Sequence, residues 1–219
     1  SKNTTAGFSI VKYTGESGSQ TVGHGLGVTP DLIIIKQLTS GYSYNWNVAS
    51  LQIGDGAKRL QLDTSGEQVT GSGLDSPYIG SSVFTLSDGT SRTNDGSSDY
   101  IAYCFANIEG YSKVGKYTGN GNADGPFVYT GFRTAFLLYK RVDVSANWRM
   151  VDNARNTYNA VGKYLSADTT DAESDSAQVD FDSNGIKVRA GSVNPINVSG
   201  GTYLYYAVAE YPFKFAPAR

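Results

Sequence analysis

The stretch Val114–Gly125, VGKYTGNGNADG, sets four glycines behind an apolar start and a lysine. Those letters suggest a phosphate-cradling loop. A dinucleotide fingerprint, however, needs G-x-G-x-x-G between a strand and a helix, so that the helix N-terminus meets the pyrophosphate. Here the third glycine is misplaced, and the following PFVYTGF (Pro126–Phe132) has a strand pattern. No G-K-[ST] follows either, which removes the P-loop. The stretch has another meaning, because KYTG also stands at Lys12–Gly15, an offset of 116 − 12 = 104.

Other features recur at nearly that spacing. Gly27 falls on Gly131, and Leu32–Lys36 (LIIIK) falls on Phe136–Lys140 (FLLYK), both at 104. Asn45-Trp46 meets Asn147-Trp148 at 102, and Lys58 and Leu60 meet Lys163 and Leu165 at 105. Tyr100–Ala106 (YIAYCFA) meets Tyr203–Ala209 (YLYYAVA) at 103. Matches in constant order, drifting by one or two residues, are what a tandem duplication with small loop insertions leaves behind. The expected domains are residues 1–107 and 108–219, with repeat cores at 7–107 and 108–213, packed as one body through the short link NIEGYSK (Asn107–Lys113). The opening stretch is then the first strand and first turn of the second copy.

Composition points to β structure. The 219 residues include 26 Gly, 16 Tyr and only one Met. Tyr, Thr, Val and Ile suit pleated, half-buried surfaces, and Gly, Asn, Asp and Ser suit the turns between them. The expected fold is all-β, as tandem duplicated β-sandwich or jelly-roll-like units. DLIIIK (Asp31–Lys36) reads as a strand buried on both faces. GFSIVKYTG (Gly7–Gly15) puts Phe8, Ile10 and Lys12 on one face. In DYIAYCFAN (Asp99–Asn107), Ile101, Tyr103 and Phe105 share one face, expected to fill a core. Ala102, Cys104 and Ala106 share the other, expected to admit a second layer closely. VDFDSNGIKV (Val179–Val188) predicts two strands joined at Asn184-Gly185, and Val151–Leu165 allows at most a turn or two of helix.

The formal net charge of −2 and scattered basic residues leave no electrostatic footprint for nucleic acid or an anionic membrane. No apolar run approaches the roughly 20 residues of a membrane span, and no secretory leader is visible. The chain opens on Ser1 rather than Met and reads as a piece of a longer polypeptide. The lone Cys104 excludes an intrachain disulfide and reads as a small hydrophobe.

Catalytic and metal signals fail on spacing. Asp180, Asp182, Asn184 and Gly185 begin like a calcium loop, but the closing position holds Gly191 rather than Glu. His24 is the only histidine, no G-x-S-x-G elbow accompanies it, and the second copy has Val128 in its place. It is expected to make a structural hydrogen bond in a tight turn. The acidic residues cluster in turns such as Asp168–Asp175, as solvated loops do. No enzyme activity and no cofactor are expected. Both tryptophans recur and therefore read as core. SGYSYNW (Ser40–Trp46) supplies the nominated ligand-binding residues, Tyr42, Tyr44 and Asn45, because rigid exposed aromatics make contact area at little entropic cost.

The ordered set NTTAGFSIVKYTG, TVGHGLGVTPDLIIIK, DYIAYCFANIEGYSKVGKYTGNGNADGPFVYTGF, NW, VDNARN, FDSNG and TYLYYAVAEYPF resembles a β-rich domain of bacteriophage tail proteins, found toward the C-terminal part of tail-fibre-like polypeptides in tailed phages of marine and other aquatic bacteria. The resemblance spans about Asn3 to Pro212 and implies a virion component in host attachment or fibre structure, without a reaction. It also implies a homotrimer among other virion proteins, meeting a host cell-surface glycan or protein. A purely structural virion module (head fibre, decoration or fibre shaft), a surface-polysaccharide depolymerase and a calcium-dependent lectin stand as alternatives.

Overall fold

The computed structural model describes residues 1–39, 44–54, 58–70, 74–87, 92–189, 191 and 196–211, with backbone alone at 74–78 and 177–178. The protein is all-β; the one helical turn among the described residues is the short 3₁₀ segment Leu51–Ile53, capped by the Ser50 side chain. The chain divides into two compact units, Ser1–Asp63 with Gln68–Asn107, and Thr64–Glu67 with Ile108–Arg219.

The first unit contains β1 (Lys2–Asn3), β2 (Phe8–Thr14), β3 (Gln20–Gly23), β4 (Leu32–Gln37), β5 (Asn47–Ser50), β6 (Lys58–Gln61), β7 (Val69–Thr70), β8 (Leu74–Ile79), β9 (Val83–Leu86) and β10 (Asp99–Phe105). The second contains β11 (Ser112–Thr118), β12 (Phe127–Tyr129), β13 (Thr134–Arg141), β14 (Arg149–Asp152), β15 (Val161–Ser166), β16 (Ser174–Asp182), β17 (Gly185–Val188) and β18 (Thr202–Ala209).

The second unit is a single sheet in the order β11-β18-β13-β14-β15-β16-β17-β12. The first unit follows the same order in two sheets, β1-β2-β10-β4-β5-β6-β7 and β3-β9-β8. Its β7 and β8 stand where the second unit has the nine-residue strand β16. In each unit the last strand is inserted between the strand that carries KYTG and the LIIIK or FLLYK strand, and every named pairing is antiparallel. Residues from β12 to β18 meet in one core cluster that includes Val128, Val151, Phe181, Ile186 and Tyr205. A sheet whose distant strands share one core must curl around it, sandwich-fashion. Lys113 Nζ of β11 donates to the Tyr129 carbonyl of β12 at 2.9 Å, drawing the two end strands together.

β4 is buried along nearly its whole length, as its unbroken apolar run predicts. The faces of β10 reverse the expectation. Tyr100, Ala102 and Cys104 are buried in the core, with Ala106 just beyond, whereas Ile101, Tyr103 and Phe105 are half-buried on the outer face. The concave side of a curled sheet offers little room beside its central strand, so small residues line it and rings from neighbouring positions fill it. Val151–Leu165 holds two strands and turns rather than helix, in keeping with its Asn, Thr and Gly content. The hairpin at 179–188 turns one residue earlier than expected, with Asp182 paired to Gly185 across Ser183-Asn184.

The repeated KYTG builds a clasp. Tyr13 stacks on Tyr100 (centroids 5.2 Å apart, 13° between planes), and Tyr117 stacks on Tyr203 (4.8 Å, 9°). Tyr13 Oη donates to Thr93 O at 2.7 Å, and Tyr117 Oη donates to Ile196 O at 2.9 Å. Each carbonyl precedes a buried asparagine, Asn94 or Asn197. Asn94 Oδ1 accepts from Glu16 N at 3.0 Å, and Asn197 Oδ1 accepts from Asn120 N at 2.9 Å. The glycine of each motif lets the next backbone approach: a Cβ on Gly15 would lie 2.3 Å from Asp95 O, and one on Gly119 2.3 Å from Val198 O. The motif glycines therefore serve close packing of chain on chain, not a phosphate.

Candidate functional site

The nominated residues fall beside a second repeated arrangement. Tyr42 lies outside the described residues. Tyr44 and Asn45 are half-buried, and their carbonyls are used by the scaffold: Tyr44 O accepts from Lys36 Nζ, and Asn45 O accepts from Asn47 Nδ2 at 3.1 Å. Lys36 Nζ sits 5.9 Å from the Trp46 ring centroid, and the Trp46 ring stacks on Tyr103 at 6.1 Å. The second unit repeats this design, with Lys140 Nζ 6.0 Å from the Trp148 ring and donating to Ala146 O. Asp63 Oδ1 accepts from Trp46 N, and Asp168 Oδ1 accepts from Trp148 N, both at 3.0 Å. Trp148 is fully packed while Trp46 is half-buried. A lysine–tryptophan–aspartate set kept in both units reads as architecture.

The remaining reactive side chains are held in structural roles. His24 is buried, its Nε2–H donating to Gly80 O at 3.1 Å and its Nδ1 accepting from Leu26 N at 3.3 Å. Burial lowers its pKa, so the ring is neutral, as this donor–acceptor pattern requires. Cys104 is fully buried, and desolvation pushes its thiol up to about 12. Among the described residues no group of three or more His, Cys, Asp or Glu could hold a metal ion. Asp180 of the calcium-like stretch is ion-paired with Arg189. Among the described residues no helix is long and apolar enough to cross a membrane.

One surface stands apart from this scaffold. On the short end strand β12, Val128 points into the core while Phe127 and Tyr129 are 47% and 60% exposed. Alternation puts both rings on one face, about 7 Å apart along the strand. The Phe127 ring lies over Gly185 of the neighbouring strand; a Cβ there would come within 2.4 Å of Phe127 Cζ. Tyr129 leans toward Gly131, where a Cβ would be 3.6 Å from its hydroxyl, and Lys113 Nζ stands 5.2 Å from its ring centroid. The missing side chain at Gly185 is what lets the Phe127 ring lie down on the sheet. Three strand positions across the sheet, Tyr158 is 84% exposed on a loop that Asn159 ties to β16, its Oδ1 accepting from Phe181 N at 2.9 Å.

The duplication supplies an internal control. Val128 pairs with Ile186 as Val22 pairs with Phe84, so the units match here at 128 − 22 = 106, and Phe127 and Tyr129 fall on Thr21 and Gly23. The first unit attains the same strand order without either ring. These two aromatics are thus dispensable to the architecture, unlike the clasp tyrosines. The shared core valine aligns TVG (Thr21–Gly23) with FVY (Phe127–Tyr129), and the difference on either side of it marks the pair in the sequence.

Fold and surface together define an all-β protein of two like-connected units, one of which carries an exposed aromatic face. The chain belongs to the family DUF7483, a domain of unknown function, whose family model matches residues 1–212. No curated protein and no solved structure matches it.

Proposed function

We propose that the chain is a phage virion component, of the tail-fibre or receptor-binding kind, that attaches the particle to the host cell surface without catalysing a reaction. The observation that carries this reading is the Phe127–Tyr129 face, two exposed rings present in one copy and replaced by Thr21 and Gly23 in the other. Large exposed aromatics that the fold does not need are contact residues by their physical chemistry: they offer area at little rotamer cost. The resemblance to tail-fibre-like domains supplies the biological setting, including trimeric assembly with other virion proteins. Adsorption competition tests the proposal. Purified chain, added in excess, is expected to block adsorption of the phage that encodes it, and Phe127→Ala/Tyr129→Ala is expected to lose the block. Absence of competition by the wild-type chain at saturating concentration refutes attachment.

A purely structural virion module is the second reading. It is favoured by the first unit, which keeps the clasp and the lysine–tryptophan set but bears no equivalent of the rings.

A further inference from the structure

We infer that the Phe127–Tyr129 face binds an uncharged polysaccharide, pyranose rings stacking on the two aromatic rings; this rests on the attachment reading above. The aromatic rings lie over Gly185 and against Gly131 and present their exposed area to solvent. A flat apolar platform of this kind matches the C–H face of a hexopyranose, which is itself flat and apolar while its rim is hydroxyl. The surrounding charges cancel. Lys187 pairs with Asp124 at 2.6 Å and Arg189 pairs with Asp180, while Lys113 and Asp182 add one charge of each sign. An electrically balanced face offers nothing to steer a uronate, a sialate or a phosphate polymer. The apolar area is confined to the rings, whereas a stable protein partner needs about 1,200–2,000 Å² of total buried surface with an apolar centre. A hydroxyl-rich, uncharged chain is the occupant that fits both facts.

The direction of the chain follows from the sheet. From β12 across β17 to β16 and the loop bearing Tyr158 is three strand spacings, about 14 Å. An oligosaccharide of a few residues spans that distance, so affinity should rise with length and then level off.

Isothermal titration of the intact chain tests this, using gluco-, manno- and galacto-oligosaccharides of one to six residues beside oligogalacturonate and polysialic acid. The expected result is binding to at least one neutral series, rising over the first few residues and unchanged between low and high salt. Phe127→Ala and Tyr129→Ala are each expected to weaken it at least tenfold, and Tyr129→Phe to retain it. Tyr158→Ala should weaken only the longer members. Unchanged thermal melting of the two alanine variants shows that their loss of binding is not unfolding. No binding across the panel, salt-sensitive binding to acidic polymers alone, or neutral binding untouched by the ring variants overturns the inference. Adsorption competition separates the two levels. If the double ring variant competes as well as wild type, this inference falls and attachment stands. If wild type does not compete, attachment itself falls.

Discussion

Gly115 and Tyr205 face each other as direct register partners in the second unit, and the equivalent partners in the first are Val11 and Ala102. The two pairs divide the same interior space differently, small with large in one unit and medium with small in the other. A Cβ on Gly115 would sit 2.5 Å from Tyr205 Oη and 2.6 Å from Cζ, well inside contact, and Tyr205 is buried. Gly115→Val alone should therefore overpack the core and destabilise by about 1–3 kcal/mol, even after some return in strand propensity. Tyr205→Ala alone removes a buried ring and should destabilise by about 3–5 kcal/mol. The double variant recreates the Val–Ala pair of the first unit and should fall at least 2 kcal/mol short of the sum, a coupling typical of residues that share one space. Urea unfolding in a Trp46→Phe background reads this out, because Trp148 then reports the second unit alone. Additivity within about 0.5 kcal/mol would refute the claim that one site substitutes for the other.

Removing either clasp asparagine should be severe. Asn197 is fully buried and bonds Asn120 N, Asn120 Oδ1 and Asn122 O, so Asn197→Ala is expected to cost about 2–4 kcal/mol through orphaned partners; a shift in urea midpoint worth less than 1 kcal/mol would contradict it. Lys140 is buried, donates to Ser65 O at 3.0 Å, and is held by desolvation at about 8. Its folded pKa lies below the unfolded value of 10.5, so from pH 8 upward the unfolded chain binds the extra proton and stability should rise, by about 2 kcal/mol up to pH 9.5 relative to Lys140→Met; parallel profiles for the two proteins would count against this. Above pH 10 the buried tyrosines act in the opposite sense, since Tyr205 is raised to about 12 and the unfolded chain ionises first. Cys104 should resist a thiol reagent in buffer and react only in denaturant; stoichiometric labelling of the native protein would show that its strand opens.

Much of the architecture can be read in the letters because the chain writes it twice. LIIIK and FLLYK mark the two strands beside the inserted last strand, and their constant offset carries the strand order of one unit onto the other. Alternation in Asp99–Phe105 tells which residues share a face but not which face is concave, and that depends on curl set by strands far away in sequence. Asn94 and Asn197 read as ordinary turn residues, since Asn is favoured in turns for local reasons. Their recurrence six residues before Tyr100 and Tyr203 is the signal that marks them as clasp residues. The ring pair is not legible from the repeat, because recurrence marks agreement and Phe127 and Tyr129 are places where the copies differ. Tyr44 and Asn45 have the residue types of a contact loop, yet it is their main-chain oxygens that the fold engages.

The clasp also governs when each unit can exist. Tyr13 closes on Thr93 across 80 residues, and Tyr117 closes on Ile196 across 79. The strand that seals each unit is also its last, threaded between two that were made first. During synthesis at about 5–20 residues per second, the first unit must therefore wait several seconds for its final strand to leave the ribosome. Until then LIIIK has an open side, a sticky edge of the kind that pairs with the wrong chain. A polypeptide stopped just short of Tyr100 should be a target for proteolysis rather than a smaller folded protein, whereas one stopped just short of Tyr203 should keep only its first unit folded.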